Sequence, residues 1–74
     1  MRMNYNELVK QFANNMRKLM EWEEVSYTKL AMGTDIARST LVGYGTARHV
    51  PNIYHAAKIA EYLDVTVDEL IGAE

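Results

Sequence analysis

Apolar residues in the first third of the chain return every three or four positions. Leu8, Phe12, Met16 and Leu19 form the series, and Val9, Ala13 and Met20 widen it into a stripe, the pattern of a helix that buries one face. Asn4-Tyr5-Asn6-Glu7 stands ahead of it with capping-box spacing. Together they predict a helix from Tyr5 to Trp22. Glu21, Glu23 and Glu24 gather at its end, where the helix macrodipole disfavours negative charge and favours termination.

The pattern then shortens. Ser26 is a good N-cap for a second helix with Leu30 and Ala31 facing inward, and Gly33-Thr34-Asp35 is expected to break it. A third helix is predicted over Arg38 to Gly45, followed by a polar stretch from Thr46 to His49 and then Val50-Pro51. Asn52 caps a fourth helix whose stripe is Ile53, Ala56, Ile59, Ala60 and Leu63, with Asp64 suited to a left-handed C-terminal position. Thr66-Val67-Asp68-Glu69 is a second capping box and opens a short helix through Ile71, stopped by Gly72. No period-2 pattern of the kind strands show interrupts this series. The expected fold is all-α, a compact five-helix bundle forming one domain over residues 1–74.

Spacing within residues 26–46 is the most informative feature. Ala31 falls in the middle of helix two, Asp35 at a tight turn, Ile36 beside it, and Leu41 ten residues after Ala31. Two helices crossing steeply need a small residue where they touch and a turn residue that accepts positive φ. Apolar residues at 30, 36, 41 and 44 then lock the second helix of the pair inward. Its outward face carries Arg38, Ser39, Val42 and Gly43, with Thr40 at the edge. This is the order of a helix-turn-helix.

Charge sharpens that picture. The net charge is -2 over 74 residues, which argues against a general polyanion binder. Yet residues 26–50 carry Lys29, Arg38 and Arg48 against Asp35 alone, whereas residues 51–74 set Lys58 against Glu61, Asp64, Asp68, Glu69 and Glu74. The positive segment coincides with the helix-turn-helix.

Several fragments in register resemble the Cro/repressor-type helix-turn-helix domains of the xenobiotic-response-element family, which share the lambda-repressor-like fold. Val25-Ser26-Tyr27-Thr28-Lys29-Leu30-Ala31 looks like the family's Leu-Thr-Gln-Glu-Glu-Leu-Ala, and Ile36-Ala37-Arg38-Ser39-Thr40-Leu41 like its Val-Ser-Arg-Ser-Thr-Ile. Leu63 to Leu70 is similar to its closing Leu-Gly-Val-Ser-Leu-Asp-Glu-Leu, and Pro51 lies where a loop proline is usual. The resemblance implies a sequence-specific regulator of phage or bacterial type that binds duplex DNA. It would act as a homodimer on a pseudo-palindromic operator, with helix three in the major groove. By position, Arg38, Ser39 and Gly43 would face base edges. Ser26, Tyr27, Thr40, Thr46, Arg48 and His49 would approach phosphates. Dimer contacts are expected from Tyr54 or from a Val67-Leu70-Ile71 surface. Two other readings use the same fold: a protein-interaction module such as an anti-repressor or adaptor, and the DNA-binding half of a longer repressor or antitoxin.

The chain departs from the family in linked places. Where the family pairs an arginine late in helix one with a glutamate late in helix three, Met20 and Gly45 stand here. Losing both is easier than losing one, since a lone buried charge is the costly case. Gly43 and Gly45 bracket Tyr44, and each internal glycine costs about 1 kcal/mol relative to alanine. Either the helix ends near Val42, or Gly43 admits close backbone approach to bases. The family's glycine after helix three is Ala47 here.

Other chemistry is not indicated. There are no cysteines, which removes disulfides and thiolate metal sites from the means by which so small a domain is held together. His49 and His55 lack a carboxylate at ligand spacing. Neither a Gly-rich phosphate loop nor a nucleophile elbow is present. No catalytic residue, metal, cofactor or small-molecule substrate is expected. No apolar run nears the ~20 residues of a membrane span, and Met1 to Tyr5 lacks the apolar stretch of a leader. A cytoplasmic protein is expected.

Overall fold

A computed structural model describes residues 4–72 of the chain. Met1 to Met3 and Ala73-Glu74, including the polar start noted above, lie outside the described residues. Five helices follow one another: α1 (Tyr5–Trp22), α2 (Tyr27–Thr34), α3 (Arg38–Gly45), α4 (Ile53–Leu63) and α5 (Val67–Ile71).

Local chemistry sets most of their ends. Asn4 accepts from the Glu7 backbone N–H at 2.8 Å and donates to the Glu7 carboxylate at 2.7 Å. Ser26 accepts from Lys29 N–H at 3.1 Å, and Asn52 from His55 N–H at 2.7 Å. Thr66 and Glu69 form the full reciprocal box, with both bonds at 3.1 Å. These side chains satisfy donors that a helix start leaves unpaired.

At the other ends the chain turns through left-handed residues; after α5 this is Gly72 (φ 74°), but at the four earlier turns it is not a glycine. Glu24 (φ 56°), Asp35 (φ 59°), Ala47 (φ 63°) and Asp64 (φ 58°) hold these positions. After α1, Val25 N–H bonds Met20 C=O at 2.8 Å and Glu24 N–H bonds Glu21 C=O at 3.2 Å, a Schellman closure. The same closure follows α3 and α4. The sequence predicted the left-handed state at Asp35 and Asp64.

One boundary is corrected. Gly33 does not break α2, which runs through to Thr34. Thr34 is buried and its hydroxyl donates to Leu30 C=O at 2.7 Å, so the polar atom is satisfied within the helix.

The α1 stripe packs on α3 and α5, while α2 packs on α3 and α4. Met16, Leu30, Leu41, Ile59 and Leu70 are wholly buried at the centre. Leu70 therefore offers nothing to a partner, which corrects the expectation of a Val67-Leu70-Ile71 contact surface. Asn15 ties α1 to α5 by donating to Leu70 C=O at 2.9 Å. Among the described residues, no helix is long and apolar enough to cross a membrane.

Candidate nucleic-acid interface

The pair α2–α3 is set by the residues singled out in the sequence. Ala31 packs against the core from the middle of α2. Asp35 turns the chain, its N–H bonding Ala31 C=O at 2.9 Å. Ile36, Leu41 and Tyr44 bury behind the turn. The Tyr44 hydroxyl and His55 Nδ1 share a hydrogen bond at 2.6 Å and Tyr44 meets Phe12 edge-on, so α3 is held from α4 and α1 alike. Burial raises the Tyr44 phenol above its ordinary value, so it keeps its proton within this contact.

With that side fixed, the start of α3 faces outward. Arg38 and Ser39 are exposed and Thr40 is half-buried. Alone among the five helices described, α3 has no side-chain cap: its N-cap is Ala37. Three backbone N–H groups are left at an exposed helix start, where the macrodipole favours an anion or acceptor. Among the described residues the one ion pair is Lys58–Glu61, so Arg38 and Arg48 carry no carboxylate partner.

The two glycines of α3 do neither thing expected of them. The helix continues to Gly45, so it does not end at Val42. Gly43 is buried, and the expectation that it lies open on the outward face is corrected. A Cβ at Gly43 would fall 2.6 Å from Cδ2 of His49, whose ring covers the position. A Cβ at Gly45 would overlap the Tyr27 hydroxyl. Gly33 has the same relation to the Tyr62 ring. Three glycines thus admit three aromatic rings against helix backbone. Met20 is buried in the core, so apolar packing and the Tyr27 ring take the region where the resembled family carries its ion pair.

The remaining residues divide into groups. Ser39, Thr40, Tyr44, His49 and Val50 line one open hollow of ≈ 420 Å³ beside the start of α3. Thr46 donates to Val42 C=O at 2.7 Å and accepts from Arg48 Nε at 3.3 Å, so these two act as a unit after α3. Ser26 is occupied as the α2 cap. Tyr27 is half-buried against the core with its hydroxyl on Gly45, away from that hollow. Sequence reading did not foresee where His49 goes. The signal available was the family's glycine at position 47, not the alanine itself: a left-handed residue there makes Arg48 and His49 N–H fold back on Gly43 C=O, at 2.9 and 3.3 Å.

An exposed, uncapped helix held by a tight turn over an apolar core is the helix-turn-helix arrangement. The chain belongs to the Cro/C1-type HTH DNA-binding domains, whose family pattern matches residues 15–74. It is 37% identical over 59 residues to the HTH-type transcriptional regulator AnsR of Bacillus subtilis (strain 168), covering 80% of this chain. The matched stretch is 48% of that relative, so the chain spans about half the length of the curated protein it matches. No solved structure matches significantly.

Proposed function

We propose that this chain is the DNA-reading domain of a transcriptional regulator and that α3 enters the major groove by its N-terminal turn. The observation that carries the reading is the exposed start of α3, uncapped and bearing Arg38 without a carboxylate partner. Arg38 and Ser39 reach base edges; arginine is the commonest bidentate reader of guanine O6 and N7. The Thr46–Arg48 unit meets the sugar–phosphate backbone, as does the start of α2 at Ser26, where free helix donors favour an anion. AnsR is named as an HTH-type transcriptional regulator, and on that likeness this protein acts on DNA in the cytosol of a bacterium.

Two copies bind a pseudo-palindromic operator, with half-sites about one helical turn apart. Ile53 and Tyr54, 89% and 67% exposed at the start of α4, supply the apolar surface between them.

The test is a selection from duplexes with a randomised core, followed by anisotropy titration of the selected and scrambled duplexes at two salt concentrations. The selected duplex binds more tightly, and both weaken steeply with salt as phosphate contacts release counterions. Arg38→Ala lowers discrimination at one base pair, whereas Arg48→Ala weakens every duplex alike and reduces the salt slope by about one. Negligible, equal binding to all duplexes overturns the reading.

A further inference from the structure

The face of α3 that carries Ser39 lacks a side chain one turn further on, at Gly43. Residues four apart share a helix face, so position 43 is where the next side chain after Ser39 would project. The structure puts an imidazole there instead. Ala47 turns left-handed, Arg48 and His49 N–H both return to Gly43 C=O, and the His49 ring is laid over the glycine. Its Cδ2 lies 2.6 Å and its Nε2 3.4 Å from the point a Cβ of residue 43 would occupy. His49 is exposed and lines the same hollow as Ser39 and Thr40. Among the described residues, neither of its ring nitrogens makes a hydrogen bond.

We infer that His49 is a specificity-determining residue, its imidazole standing in for the absent side chain at Gly43 and reading a base edge in the major groove. This rests on α3 being the reader helix, as proposed above. A neutral imidazole carries one donor and one acceptor, both of which have counterparts on major-groove base edges. The backbone bonds to Gly43 hold the ring relative to α3 itself, so it moves with the reader helix and not as a free loop side chain. A phosphate contact, the role suggested by its place after α3, would carry no sequence information.

Three variants separate the roles, each titrated against the wild-type-selected duplex and its single-base-pair substitutions. His49→Phe keeps a ring over Gly43 without nitrogens. His49→Ala removes the ring. Gly43→Ala displaces it while leaving the imidazole intact. All three are expected to lose about five- to ten-fold discrimination at one shared base pair, keep the preference due to Arg38, and bind scrambled duplex as the wild type does. His49→Phe also keeps the wild-type melting temperature, so its loss is not one of folding. A uniform loss on every duplex for His49→Phe makes His49 a phosphate contact and overturns the inference. Full discrimination by His49→Phe makes the ring a spacer and overturns it as well. A wild type that selects no sequence is a different failure, seen before any variant is made. It overturns the DNA-reading assignment and this inference with it.

Discussion

The hydroxyl of Tyr27, the first residue of α2, rests against the backbone of Gly45, the last residue of α3, in space that any side chain at 45 would need. The two helices of the motif are therefore clasped at one end by a ring on a glycine, while the turn at Asp35 joins them at the other. The glycine is a packing residue here, and its cost in helix propensity is offset by the ring it admits.

Gly45→Ala should therefore destabilise the fold by about 1–3 kcal/mol, although alanine is the better helix former by about 1 kcal/mol. Removing the obstructing oxygen with Tyr27→Phe should recover most of that loss. Urea unfolding of the two single variants and the double variant measures it. Additive single effects would show that the residues do not interfere.

Ala47 occupies a left-handed conformation that costs an L-residue roughly 1–2 kcal/mol. Ala47→Gly removes that strain and adds some unfolded-chain entropy, for a net stabilisation of about 0.5–1 kcal/mol. A thermal melt should move up, by roughly 4–8 °C for each kcal/mol in a domain this small. An unchanged or lower midpoint would count against the turn geometry after α3.

The Tyr44–His55 hydrogen bond is buried on one side only. His55→Leu leaves the Tyr44 hydroxyl without its partner and should cost about 1–3 kcal/mol, more than Tyr44→Phe, whose histidine partner is half-buried and reaches water. The double variant should cost less than the sum. Because burial raises the Tyr44 phenol above 10.0, the folded state keeps that proton to higher pH than the unfolded chain. Its contribution is whole below the ordinary phenol range and declines as pH rises through the folded value. Denaturation midpoints taken from about pH 8 to pH 11 should fall less in Tyr44→Phe than in the wild type.

Ile53 is the first residue of α4 and 89% exposed, a position where an acidic side chain suits the helix dipole. Ile53→Asp should leave stability within about 0.5 kcal/mol. It should nevertheless lower the dimer fraction in sedimentation equilibrium and weaken binding to a two-half-site duplex more than to a single half-site. Unchanged association would remove Ile53 from the interface.

The candidate site was legible in the sequence wherever short-range chemistry decides. Arg38 and Ser39 come out at an exposed helix start because Ile36, Leu41 and Tyr44 point the other way. His49 was not placed. Its position depends on a turn through Ala47, a residue with no intrinsic preference for the left-handed state.

By itself the sequence determined the helices and most of their ends, since caps, apolar periodicity and turn residues act within a few positions of one another. Tyr5–Trp22 and Arg38–Gly45 are bounded as that pattern predicts, Asn4, Ser26, Asn52 and Thr66 cap where expected, and Asp35 and Asp64 turn left-handed. Only the tertiary structure decided what the glycines of α2 and α3 are for. Gly33, Gly43 and Gly45 read locally as breaks or open backbone, yet each lies inside a helix beneath a ring from Tyr62, His49 or Tyr27. What fills the space of a missing side chain comes from another segment, and no local pattern records which segment that is.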